Sequence, residues 1–180
     1  MTLRVKNGKP IPVPTEPAPP GAANTLNVPY RHQEQNNWCW AGCCEMVFLY
    51  YNLQNVRQCD MATYQFGANC CVVPSSSVCN QGNWPENIYN HYRFSNSRTE
   101  APLLPGLVIS QIDSNQPIEP YYAWRNGGAH VAIIRGYYDN GDLEVNDPWY
   151  GPSRNSYSDV VTAYGLGTWS KTYFDIRRLP

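Results

Sequence analysis

Charge is scarce in this chain. Its 180 residues hold 13 Lys and Arg against 14 Asp and Glu, which leaves a net charge of −1. So even a balance excludes the basic footprint that nucleic acid or an anionic membrane surface would require. Long apolar runs are also missing, and none approaches the ~18 residues that a bilayer span needs. Met1 to Lys9 is basic but no apolar stretch follows it, so an ordinary secretory leader is not visible. The first 27 residues lack Cys, Trp, Tyr and Phe, while Pro10, Pro12, Pro14, Pro17, Pro19 and Pro20 fall there. This composition predicts a Pro-rich flexible linker or arm over 1–27, extended and polyproline-like. The folded domain is expected over 28–180, starting near Val28-Pro29-Tyr30. Histidine is rare, with three in all, and no cysteine follows Cys79.

Aromatic residues, by contrast, are plentiful, with 14 Tyr and 6 Trp. The length is that of one domain with a real hydrophobic core. All seven cysteines lie between Cys39 and Cys79: Cys39, Cys43, Cys44, Cys59, Cys70, Cys71 and Cys79. Seven cannot all pair within one chain. Their density suits an oxidising destination, reached through a missing leader, through a leaderless secretion machine, or as part of a longer polypeptide. A reduced cytosolic protein with free thiols is the alternative.

The pattern divides the domain into two halves. Trp38 to Leu53 is apolar and free of proline, and reads as a helix. Cys59 to Gln65 predicts a short helix, and 68–82 an irregular loop. Trp84-Pro85-Glu86 opens a helix to His91, with Asn83 placed to cap it. Leu107 to Ser114 is a further helix. Ile118–Trp124, His130–Tyr138, Leu143–Asn146 and Thr168–Ile176 are rich in β-branched and aromatic residues and predict strands. Asp139-Asn140-Gly141-Asp142 joins two of them as a hairpin turn. Helices followed by antiparallel strands make an α+β fold.

Cys39 sits at the predicted start of the long helix, where unpaired N–H groups favour a thiolate, the nucleophilic form of cysteine. A buried structural cysteine, or half of a disulfide, is the competing reading. Gln33, six residues upstream, could return an amide N–H toward an oxyanion, and Gln35 competes for that role. A thiol nucleophile needs a base. His32 lies in a polar loop, and His91 is expected to face solvent or cap its helix. His130 follows Gly127-Gly128-Ala129 and opens an apolar strand, which places it at a cleft; a packed core histidine is the alternative. Beyond the hairpin, Asn146 and Asp147 return beside it. Strand alternation lets only one of them face the imidazole. A simple turn at Asp147-Pro148 is the alternative.

The order of these features, Gln33-x5-Cys39 with Cys39-Trp40-Ala41, then Gly-Gly-x-His130, then Asn146-Asp147-Pro148-Trp149, resembles the papain-like cysteine peptidase superfamily. Cys79-Asn80-Gln81-Gly82 is similar to its Cys-Asn-Gly-Gly loop. Val28-Pro29-Tyr30 and Asn37-Trp38-Cys39-Trp40-Ala41 resemble the compact bacterial effector proteases of the avirulence-protease type. The His…Asp-Pro ending resembles the double-glycine leader peptidases. The resemblance implies a papain-like fold, with Cys39 as nucleophile, His130 as general base and acid, Gln33 as oxyanion donor and Asp147 as orienting residue; Asn146 would match papain itself. It implies a substrate cleft at Trp38, Trp40, Asn80, Gly82, Trp84, Gly127, Gly128 and Ala129, with no cofactor or metal. Asn36 stands where papain has a disulfide cysteine.

With Cys39 kept free, six cysteines remain for up to three bridges. Links from Cys43 and Cys44 to the 59–79 region are expected. A metal site at Cys70, Cys71 and Cys79 is a rival that matches no standard zinc spacing. The expected function is a cysteine endopeptidase acting on a protein or peptide, with small-residue sites such as Gly-Gly implied by the leader-peptidase likeness. Alternatives are an amidase or acyltransferase on peptidoglycan or another acyl group, and a catalytically silent binding module. A secreted or injected effector or toxin fits the missing leader. Used between bacteria, such a toxin implies an immunity or inhibitor protein covering the cleft. Neither nucleic acid nor membrane is an expected partner.

Overall fold

A computed structural model describes the backbone of residues 4–6 and 9–11 and the whole of residues 24–180. Most of the predicted arm therefore lies outside the described residues. Within it, β1 (Arg4–Lys6) pairs antiparallel with β2 (Lys9–Ile11). The arm's last residues join the fold. β3 (Asn24–Thr25) is an edge strand, and Leu26 is buried in the core, ahead of the start expected at Val28.

The helical half comprises α1 (Cys39–Tyr50), α2 (Gln58–Phe66) and α3 (Pro85–His91). α1 is buried nearly all round, by Trp40, Ala41, Cys43, Cys44, Met46, Val47 and Phe48. A helix apolar on every side belongs at the centre of a fold. It packs on α2, on α3 and on the sheet. No charged side chain lies in its first turn, and no side chain caps its N-terminus. Those unpaired N–H groups remain for another acceptor. α3 starts with Pro85 in the first helical turn, where its missing N–H costs nothing.

Two four-stranded antiparallel sheets form the other half. β4 (Phe94–Thr99), β10 (Gly167–Arg178), β5 (Glu119–Trp124) and β6 (Ala129–Val131) make one, in that order. β3, β7 (Ile133–Tyr137), β8 (Asp142–Asp147) and β9 (Gly151–Ser156) make the other. The helix α4 (Pro105–Asp113) links β4 to β5. A short α5 (Tyr157–Val161) and a 3-10 turn (Ala163–Gly165) lead into β10.

Mixed helix and antiparallel sheet make the fold α+β, as expected. The predicted strand His130–Tyr138 is in fact two strands. The chain leaves the first sheet after Val131, crosses at buried Ala132, and enters the second at Ile133. β4 and β9 escape the pattern because Phe-Ser-Asn-Ser-Arg-Thr and Gly-Pro-Ser-Arg-Asn-Ser are polar. Pairing with long β10 and with β8 makes them strands despite weak propensity.

The cysteines depart from expectation. Disulfides join Cys59 to Cys71 and Cys70 to Cys79, while Cys39, Cys43 and Cys44 are free. No bridge reaches α1: Cys43 and Cys44 are fully buried, with Glu119 of β5 acting on both thiols and Tyr89 of α3 hydrogen-bonded to Cys44. The rival metal set is spent as well, since Cys70, Cys71 and Cys79 all sit in bridges. Cys59, Asp60 and Cys71 cluster closely, but both sulfurs are in one disulfide. Among the described residues no helix is long and apolar enough to cross a membrane.

Candidate active site

Three elements converge on one cleft. Cys39 is the first residue of α1 and is half-buried at the cleft floor. His130 lies in β6 and Asp147 ends β8, both buried. His130 Nε2 stands 2.9 Å from both Asp147 carboxylate oxygens. That leaves Nδ1 for the thiol, and the imidazole and the Cys39 sulfur are hydrogen-bonded. Asp147 Oδ1 also accepts the backbone N–H of Trp149 at 2.8 Å and of Tyr150 at 3.0 Å. This turn holds the carboxylate plane before any substrate arrives.

Strand alternation sends Asn146 and Asp147, the last two residues of β8, to opposite faces. Asn146 faces the other way, donating to Val28 O at 3.0 Å and accepting from Arg135 Nε at 3.0 Å. Asp147 alone meets the imidazole.

The electrostatics favour a charged pair. Burial by itself would push the Cys39 thiol up. His130, together with the backbone N–H groups of Val131 and Trp40, outweighs that and brings it below the ordinary thiol value. For His130, burial would lower the imidazole. The Asp147 charge and hydrogen bond, with Cys39 beside it, raise it from 6.5 to about 10. Rings of Trp124, Tyr150 and Tyr122 surround the imidazole at 6.0, 6.2 and 6.5 Å between centroids. Aromatic faces favour a cation. The arrangement is a thiolate–imidazolium pair backed by a carboxylate, able to attack an acyl carbon and protonate its leaving group.

Glycines matter at two places around the site. Gly42 lies where α1 meets the Asp147-Pro148 turn, and a Cβ there would stand 3.0 Å from Pro148 Cβ and 3.4 Å from Gln33 Cα. The loop before His130 turns on Gly127 and Gly128, at φ +85° and +82°, a left-handed pair that residues with a side chain rarely adopt.

Gln33 requires a correction. It is buried against this site, but its Nε2 donates to Gln35 O at 2.7 Å and Asn36 O at 3.0 Å. An amide nitrogen has two protons, and both are engaged. Its Oε1 is buried without a partner. The expected oxyanion donor is thus a clamp on the loop leading to the nucleophile. Gln35, its competitor, contributes only a carbonyl to that clamp.

The cleft has a volume of ≈ 490 Å³. Trp40, Gly82, Trp84, Gly127, Gly128 and Ala129 line it, as does His130. Trp38 and Asn80, expected there too, do not. Trp38 is fully buried, with its indole donating to Cys79 O at 2.7 Å, and Asn80 is bonded to Asn37. Asn83, within the 80–84 loop expected to clamp a peptide, lines the cleft, and so do Asn36, Asn37, Tyr121, Trp124 and Val131, which were not foreseen. Trp124 had a signal, standing at the end of a predicted strand just before the Gly-Gly turn. Buried Gln58 had none. From α2 it accepts Glu34 N at 2.8 Å and donates to His32 O at 2.8 Å, propping the Gln33 loop. His32 and His91 lie away from the triad. His32 packs on Trp149 and His91 stacks on Tyr64.

A helix N-terminal cysteine facing a strand histidine and its carboxylate, in an α+β frame, is the constellation of a papain-like cysteine protease. Residues 22–164 match the family described as papain-like cysteine protease AvrRpt2, and the chain belongs to that family. It is therefore an enzyme rather than a silent binding shell. Among solved structures, that of Pseudomonas avirulence protein AvrPphB aligns over 84% of this chain and 97% of that one, at 9% identity and a TM-score of 0.38. No curated protein sequence matches the chain.

Proposed function

We propose that the protein is an endopeptidase whose triad is Cys39, His130 and Asp147, acting as an effector on proteins of a cell into which it is delivered. The observation that supports this most directly is the hydrogen-bonded Cys39–His130–Asp147 chain opening on a cleft. The Cys39 thiolate attacks the scissile carbonyl carbon. The oxyanion forms against the Cys39 backbone N–H, at the helix start where no intrahelical carbonyl claims it. A second donor would come from Gln33 only if its amide released Asn36 O. His130 in its protonated form gives its proton to the leaving amine. The neutral imidazole then draws a proton from water, which hydrolyses the acyl-enzyme. Asp147 fixes the imidazole and stabilises its charge.

The walls of Trp40, Trp84, Tyr121 and Trp124 suit an extended peptide held between aromatic faces. We infer a preference for small residues, such as Gly-Gly, beside the scissile bond. Equal cleavage of Gly-Gly and bulky-P1 peptides would refute that preference. The decisive experiment on activity is mass spectrometry of a target-cell proteome treated with wild type or with Cys39→Ala. New termini produced only by wild type are expected; identical fragments from both would overturn the endopeptidase reading.

A further inference from the structure

The turn that carries Cys39 is held by the 79–81 loop. Trp38 Nε1 donates to Cys79 O at 2.7 Å, and Trp40 Nε1 to Gln81 O at 3.0 Å. Between these, Asn37 N donates to Asn80 Oδ1 at 3.1 Å, and Asn37 Nδ2 to Asn80 O at 2.8 Å. The loop is itself anchored by the buried Cys70–Cys79 disulfide.

One peptide plane has a special place in this set. The plane joining Asn36 to Asn37 is gripped at both ends. Its carbonyl accepts from Gln33 Nε2 at 3.0 Å, and its N–H donates to Asn80 Oδ1 at 3.1 Å. Asn36 and Asn37 both line the cleft beside Cys39. Two peptides downstream is the Cys39 N–H, whose direction decides whether an oxyanion is met at hydrogen-bonding distance.

We propose that Asn80 is a positioning residue for acyl transfer: by fixing the 36–37 peptide plane it aims the Cys39 N–H at the oxyanion. This rests on the protease reading above. Without the Asn80 side chain the plane is held at its carbonyl end alone and can rotate. The thiolate–imidazolium pair is untouched, because neither His130 nor Asp147 contacts this loop through any of these bonds. Acylation should therefore suffer, while simple alkylation of the thiolate, which forms no oxyanion, should not.

The test compares wild type, Asn80→Ala, Asn80→Asp and Cys39→Ala. Two rates are measured on each: the acylation burst with p-nitrophenyl acetate, and alkylation by iodoacetamide across pH. For Asn80→Ala the burst rate should fall on the order of 10-fold, a fraction of the 10²–10³ lost with a whole oxyanion donor. Its alkylation rate and pH midpoint should stay within twofold of wild type. Asn80→Asp keeps an oxygen acceptor for Asn37 N–H and should recover most of the burst. The proposal is overturned if Asn80→Ala acylates normally. It is also overturned if both rates fall together with the melting temperature and Asp restores neither. A wild-type burst no larger than that of Cys39→Ala would instead remove the protease reading, and this inference with it.

Discussion

Replacing Asp147 with Asn isolates the charge behind His130 from the geometry that holds it. The amide oxygen can keep the place of Oδ1, accepting from Trp149 N and Tyr150 N and lying 2.9 Å from Nε2. The charge is lost, and with it the second acceptor at Oδ2, 2.9 Å from Nε2. The worth of the charge can be bounded in two ways. The rise of the imidazole from 6.5 to about 10, the net of burial against Asp147 and Cys39 together, corresponds to about 5 kcal/mol. Coulomb's law for unit charges at the 2.9 Å contact, with an effective dielectric of about 20, gives about 6 kcal/mol. Burial, which opposes the imidazolium, then prevails, and His130 becomes neutral near pH 7. Cys39 loses the cation that outweighs its own burial, so its thiol rises again. The assay is the iodoacetamide rate of Cys39 from pH 5 to 10. Wild type should react well below the ordinary thiol range. Asp147→Asn should be slower at pH 6 by on the order of 10², with its midpoint displaced to the alkaline side. A variant profile that overlays wild type would refute the ion-pair account, whatever the variant's residual activity.

Further outcomes follow from the same geometry. Peptide hydrolysis needs protonated His130, so its rate should fall as pH rises through about 10, while alkylation persists there; a common decline would contradict the assigned proton donor. The raised imidazole also contributes stability that is full below pH 6.5 and lost as pH climbs toward about 10, which melting curves across that range should register. Gly42→Ala brings a Cβ to 3.0 Å from Pro148 Cβ. It should cost about 1–3 kcal/mol in denaturant melts, and lower turnover further by spreading α1 from the Asp147 turn. Cys70→Ser with Cys79→Ser removes a bridge of sequence separation 9 and should cost about 2–3 kcal/mol. Thiol titration of the native protein should find one fast group, Cys39, because burial pushes Cys43 and Cys44 well above the ordinary value. In denaturant without reductant, three thiols should titrate.

That the three candidate side chains meet was legible because each stands beside a residue that only its setting explains. Cys39 opens an apolar, proline-free helix, His130 follows two adjacent glycines, and Asp147 precedes a proline that ends its strand. These are local signals, and local chemistry wrote them. What remained hidden depends on partners far along the chain. Gln33 stands at the spacing of an oxyanion donor, yet its amide is spent on the carbonyls of Gln35 and Asn36, which no spacing reveals. Asn80 lies in a loop that resembles a substrate wall, and its oxygen turns instead to Asn37 N, 43 positions away. The bridges stayed obscure for the same reason: which cysteines meet depends on what α1 faces.

The crossing at Ala132 explains why this chemistry needs both sheets. His130 is paired into the first sheet, opposite Tyr122 of β5. Ile133 is already paired into the second, opposite Asn146 of β8. Between them lie only Val131, still paired with Tyr121 of β5, and fully buried Ala132. Because Ile133 sits against Asn146, the next residue of β8, Asp147, is delivered toward the sheet junction and so to His130. A one-residue slip of β8 would exchange the two faces and bring Asn146 to the imidazole, sending the Asp147 carboxylate toward Val28 and Arg135. The register of the β7–β8 hairpin, which shifts between Ile134 and Gly136, thus decides which of the two residues faces His130. The Arg135–Asn146 and Arg135–Glu144 contacts, at 3.0 and 2.9 Å, help hold that register from the opposite face. In the proposed mechanism, catalysis depends on strand pairing as directly as on the three side chains of the triad.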